Sequence, residues 1–166
     1  MKRKVFFWVL FCASLISFGA QTLEAFGIVA FHADFFEKKT TIVVDAGHGG
    51  EDGGAVGVNG SVEKDINLAI ALALAEKLTA SNFPVVLVRD GDYSVGDQTL
   101  NTVAERKRSD TKNRVQLVEE TGDCLLISIH QNQFSQSQYS GAQMFYSPNN
   151  DESAQLAECI RQSVVN

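Results

Sequence analysis

Cysteine is too sparse and too scattered in this chain to staple a fold: the three residues, Cys12, Cys124 and Cys159, stand far apart and form no C-x-x-C pair. That spacing argues against a disulfide framework or a cysteine-built metal knuckle, and Cys124 and Cys159 read as small buried hydrophobes. Positive charge is also short, with 14 Lys and Arg against 20 Asp and Glu and a net charge of -6. Lys2, Arg3 and Lys4 hold part of that small stock, so the remainder is more acidic still, which argues against a phosphate-backbone partner such as nucleic acid. No Gly-Lys-Ser/Thr occurs, and Asp52 stands where a dinucleotide fingerprint opened by Gly47-His48-Gly49 would need glycine. Ser128 lacks the Gly-x-Ser-x-Gly elbow and Cys124 lies back from the strand end, so neither reads as a nucleophile. Internal repeats and low-complexity tracts are absent. Histidine is scarce as well, with three in the chain, and the places of two of them carry the most information.

What is present is ordinary globular material: 166 residues, 45% hydrophobic and 20% charged, enough for one domain with a proper core. Residues 1–36 read as a leader plus joint. Lys2-Arg3-Lys4 forms a positive start, residues 5–16 are almost unbroken apolar, and small residues follow at Ser17, Gly19 and Ala20. The chain is therefore expected to be exported, to the cell envelope outside the cytoplasmic membrane, with membrane contact through the leader only. Cleavage and retention as an uncleaved anchor both remain open, because the run is shorter than the ~20 residues that span a bilayer comfortably. Bulky Phe11 before Cys12 argues against a lipoprotein.

Beyond the polar joint at Glu37-Lys38-Lys39-Thr40, the β-branched run Thr41–Ala46 reads as a strand buried on both faces. Glycines at 47, 49, 50, 53, 54, 57 and 60 make the next stretch an irregular loop. Apolar residues at Ile66, Ile70, Leu74 and Leu78 give helical spacing over 64–79, with Ser61 as the expected N-cap. A second strand over 83–88 follows, then a polar loop, a helix over 103–120 stopped by Gly122, and a third buried strand, Cys124–Ile129. Residues 141–146 read as a fourth strand, and Asp151–Val165 as an amphipathic helix. Strands alternating with helices predict an α/β fold: a three-layer domain with a largely parallel central sheet flanked by helices, over 37–166.

His48 follows the first strand and His130 ends the third, so in a parallel sheet both imidazoles leave from the same carboxyl edge. Glu63 opens the helix that returns from that edge. Two histidines and one glutamate make a catalytic zinc set with a fourth position for water, whose pKa falls to about 7 on the metal, and the ion also polarises an amide carbonyl. Each residue has a plainer role available: a loop histidine, a helix-start carboxylate, a strand-end histidine bonded to backbone. The joint placement of both histidines at strand ends favours the metal reading.

Three segments carry a family resemblance: Asp45-Ala46-Gly47-His48-Gly49-Gly50-Glu51-Asp52-Gly53-Gly54-Ala55, Gly60-Ser61-Val62-Glu63-Lys64-Asp65-Ile66-Asn67 and Ser128-Ile129-His130-Gln131-Asn132. With Val88-Arg89-Asp90, Asn113-Arg114 and Ser140-Gly141-Ala142-Gln143-Met144-Phe145-Tyr146, they closely resemble the type-3 zinc-dependent N-acetylmuramoyl-L-alanine amidases, most of all the spore-cortex subgroup. The resemblance implies Zn2+ on His48, Glu63 and His130, and hydrolysis of the amide between N-acetylmuramic acid and the L-alanine of peptidoglycan stem peptides, in spore cortex maturation. It gives Asn132 a substrate-side place, equally open to the reading of a turn residue, and makes Arg89 and Arg114 structural ion-pair or capping residues. An accessory protein is a further expected partner, and the resemblance makes the forespore intermembrane space an alternative to the cell envelope as the place of export.

The sequence departs from the pattern after Tyr146. The family's general-base glutamate, in a Glu-x-Gly-Phe-like segment near the end of a further strand, has no counterpart; Glu152 and Glu158 both fall in the helix pattern. The chain is therefore expected to be shortened at its C-terminus, without the last strand of the family fold, and a missing general base costs about a hundredfold to ten-thousandfold in rate. A zinc-holding remnant that binds wall or a partner without turnover, and a related metallopeptidase, are the alternatives.

Overall fold

The β-branched run at the start of the domain forms the centre of the sheet. The computed structural model describes residues 39–131, 141–148 and 150–165, and these divide after His130 into two units. In the first, β1 (Thr41–Ala46) is followed by α1 (Glu63–Ala80), β2 (Val85–Leu87), α2 (Val103–Thr121) and β3 (Cys124–Ile129). The strands are parallel in the order β2-β1-β3, with Val43 opposite both Val86 and Leu126. Alternating strands and helices thus give the expected α/β architecture, because parallel neighbours need a helical crossover between them.

β1 is buried on both faces, as its continuous apolar character predicts. Ile42, Val44 and Ala46 point to α1 and share a core with Ala71, Leu68, Leu74, Ile127 and Ile129. Burying one valine side chain fully is worth roughly 1.5–3 kcal/mol, and Val43 and Val44 are both fully buried. On α1 the stripe Glu63, Asn67, Ala71, Ala75 faces inward; its small alanines let the helix lie close on the strand. The Lys39 ammonium reaches the end of α1 at Ser81 O, 2.6 Å away, and sits 4.3 Å over the Phe83 ring.

Three expectations are corrected. Ser61 does not cap α1: its hydroxyl bonds Asn59 Oδ1 at 2.8 Å, and the N-cap is Val62, with no side-chain bond. Carbonyls of the glycine loop take over, since the Glu63 N–H donates to Ala55 O at 2.9 Å and that of Lys64 to Gly53 O at 3.1 Å. β3 is half buried and not fully so. It lies at the edge of the described sheet, and Leu126, on the face turned to α2, is 47% exposed. Residues 141–146 form no strand; a strand needs a ladder partner, and none of the described strands pairs with them.

α2 is held differently from α1. It buries no residue completely and is fixed by polar contacts: a capping box joins Thr102 and Glu105, Asn113 donates to Val95 O at 2.7 Å, and Arg106 pairs with Glu51 at 2.8 Å. Gly122 ends it at φ 77°, as its position predicts. The second unit contains α3 (Asp151–Val165), which with Ala142, Met144 and Tyr146 lines an open groove. No helix among the described residues is long and apolar enough to cross a membrane; the leader lies outside them.

Candidate metal centre

Because β1 and β3 run parallel, the chain leaves both at one edge, and His48 and His130 meet there. Their ring centroids are 5.0 Å apart with planes crossing at 77°. Glu63, buried at the first turn of α1, brings its carboxylate between them: Oε1 lies 3.1 Å from His48 Nε2 and 3.1 Å from His130 Nδ1. One nitrogen from each ring and one carboxylate oxygen fall within 4.8 Å of one another. The amino end of α1 also favours the negative charge by roughly 0.3–1 kcal/mol.

The donor set fits a divalent cation. The Asp52 carboxylate, 2.9 Å from His48 Nδ1, can only accept, so Nδ1 carries the hydrogen and Nε2 presents a lone pair. That lone pair faces a carboxylate oxygen already facing a second imidazole, an arrangement that a shared cation satisfies. Two imidazoles and one carboxylate are zinc-type ligands that leave a coordination position open. Backbone room is provided too. A Cβ at Gly47 would fall on the His130 ring, and one at Gly54 would come within 2.6 Å of Glu63 Oε2 and 2.7 Å of His48 Cδ2.

A network of buried polar contacts holds this geometry. Asn67, one turn along α1 and fully buried, donates to Gly47 O at 3.2 Å and to Glu63 Oε1 at 3.4 Å. Glu63 Oε2 accepts the Ala55 N–H at 2.8 Å. Arg89 and Arg114 are structural, as expected, but their targets are the site's own backbone. Arg89, 1% exposed, donates to Ala46 O at 2.8 Å, Gly47 O at 3.0 Å and Lys64 O at 2.7 Å. Burial and the neighbouring Arg114 push its pKa down. Arg114 donates to Ala46 O at 2.9 Å and His48 O at 2.7 Å, and pairs with Asp45 and, at 2.6 Å, with Asp110. Burial opposes the Arg114 charge, yet Asp110 and Asp45 outweigh it and raise its pKa. Ser128 closes the network by donating to Asp45 Oδ2 at 2.6 Å.

The structure brings His48, Glu63 and His130 together and sets Asp52 and Asn67, which the sequence does not single out as site residues, beside them. The Asn67 signal was present: four residues after Glu63, it must share that residue's helix face. Asn132 lies outside the described residues. Glu158, one of the two glutamates after Tyr146, is engaged by Arg161 at 2.7 Å and Gln162 at 2.8 Å on α3. A cavity of about 490 Å³ opens beside the two histidines and runs along α2 past Val115, Val118 and Leu126.

A family described as N-acetylmuramoyl-L-alanine amidase matches residues 42–166. The germination-specific N-acetylmuramoyl-L-alanine amidase of Bacillus subtilis is 35% identical over 120 residues, 72% of this chain and 50% of that protein. The amidase AmiA of Escherichia coli is 32% identical over 122 residues, 74% of this chain and 37% of its own length. Among solved structures, the CwlD amidase of Clostridioides difficile, in complex with the GerS lipoprotein, aligns with a TM-score of 0.72 at 38% identity, covering 76% of this chain and 65% of that one. The chain spans about half the length of the curated relatives it matches.

Proposed function

The chain belongs to the N-acetylmuramoyl-L-alanine amidase family, and from that premise we propose that it serves zinc-dependent hydrolysis of the amide between N-acetylmuramic acid and the L-alanine of peptidoglycan stem peptides. The observation that carries the reading is the convergence of ligand atoms from His48, Glu63 and His130 within 4.8 Å. A zinc ion held by these three residues would supply Lewis acidity for activation of water and polarisation of the amide carbonyl. The protein's own part is orientation. Asp52 and Asn67 hold His48 and Glu63, while Arg89 and Arg114 fix the carbonyls of the turn that carries His48. Spore cortex is the proposed setting, supported by the germination-specific relative. Export through the leader, and an accessory lipoprotein of the kind bound to CwlD, belong to the same proposal.

A second reading is a zinc-holding module that binds the metal without turnover. Incubation of the purified chain with zinc and muropeptides separates the two. Release of free stem peptide, lost in Glu63→Gln, supports the hydrolase; stoichiometric zinc without release supports the module. Cleavage of an ordinary peptide in preference to muropeptide would instead identify a peptidase.

A further inference from the structure

His48 occupies a backbone conformation that nothing in its own chemistry prefers. Its φ is 63°, in the left-handed region that favours glycine. The ring must nevertheless be aimed, since an imidazole can ligate through either nitrogen and only the nitrogen without hydrogen can do so. Asp52 makes that choice: its Oδ2 takes Nδ1 at 2.9 Å and leaves Nε2 facing Glu63.

Asp52 is itself held on several sides. Its backbone pairs with Gly49 in both directions, at 2.9 and 3.2 Å. Its other carboxylate oxygen, Oδ1, accepts from the Gly54 N–H at 3.3 Å and from the Lys107 ammonium at 2.7 Å. Lys107 comes from α2, an element that supplies none of the three ligand candidates. A carboxylate with one oxygen anchored has only the other to offer the imidazole, so the lysine narrows the orientations in which Asp52 can meet His48.

We propose that Asp52 is a positioning residue of the metal centre, committing His48 to ligation through Nε2, and that Lys107 on α2 strengthens metal binding by anchoring the second Asp52 oxygen. The inference rests on the metal-centre reading above. Outer-shell carboxylates of this kind orient the ligating ring and raise its basicity, and their loss typically lowers metal affinity by about 10–100-fold.

The test uses the full chain, with zinc affinity measured by chelator competition and Co2+ absorption as the report on ligand geometry. Asp52→Ala should bind zinc about 10–100-fold more weakly and show an altered cobalt spectrum, while Asp52→Asn, which keeps an acceptor oxygen, should lose less. Lys107→Met should lose less affinity than Asp52→Ala. Metal-free melting curves that match the parent separate positioning from loss of fold. Parental zinc affinity and cobalt spectrum in Asp52→Ala overturn the inference. If that variant does not fold, the half-exposed Lys107 decides, and a parental result in Lys107→Met overturns it. His48→Ala keeps the two levels apart: if it binds zinc as the parent does, the metal-centre reading fails, whereas its loss of zinc beside an unaffected Asp52→Ala removes only the positioning role.

Discussion

Gly47 shows how little freedom the site leaves at single positions. A methyl group there would occupy the space of the His130 ring, so Gly47→Ala must push the ring away or shift the turn after β1. Overpacking of this kind costs typically about 1–3 kcal/mol. Urea unfolding of the metal-free variant should show that loss, and chelator competition should show weakened zinc binding beyond it; an unchanged affinity would mean that the His130 ring does not lie against this turn. The same crowding explains what the sequence could and could not reveal about residues. His48 and His130 announced themselves because each ends an apolar run, a pattern readable along the chain. Asp52 did not, because its importance lies in hydrogen bonds whose partners are chosen by the fold of a glycine loop.

At the scale of elements, the two helices of the first unit are attached by different physics. α1 lies on β1 through alanines and leucines, whereas α2 reaches it through Arg114 between Asp45 and Asp110. The second attachment depends on charge and therefore on pH. Burial opposes the Asp110 charge, but Arg114 and Ser94 outweigh it and lower its pKa. A carboxylate with a folded pKa below its unfolded one adds stability that is complete above the unfolded value and is lost as pH falls through the folded value. For Asp52 that window runs from 3.8 to about 2, and Asp110 acts in the same direction. Asp110→Asn should therefore be less stable at neutral pH and should lose less of its remaining stability on acidification, as read by urea unfolding at stepped pH. An acid limb as steep as the parent's would show that Asp110 takes no part in anchoring α2.

Element identity was largely legible: β1 and β3 are short apolar runs with polar or glycine residues at their ends, and the helices are segments rich in helix formers with clear stops such as Gly122. The failures came where pairing or backbone decides. Residues 141–146 have strand-like composition, but composition cannot supply a partner strand, and Phe145 is 82% exposed. The sequence points to Ser61 as the start of α1 because side-chain caps can be read in sequence, whereas capping by the carbonyls of Gly53 and Ala55 cannot.

For the molecule as a whole, zinc should act as a stabilising ligand as well as a reagent. A ligand at a hundred times its dissociation constant adds about 2.7 kcal/mol to a protein that binds it only when folded. Melting with zinc and again after chelation should show the difference, and His130→Ala should abolish it; a zinc-dependent shift that survives in His130→Ala would place the ion elsewhere.

The parallel pairing of β1 with β3 has a kinetic corollary. His48 and Glu63 are neighbours along the backbone, but Glu63 and His130 are 67 residues apart, and they meet only when the third strand zips onto the first. Closing so large a loop is entropically slow. A nascent chain that has completed only the first strand-helix-strand crossover thus holds two of the three donors, and high-affinity capture of the ion should await the docking of β3 onto β1.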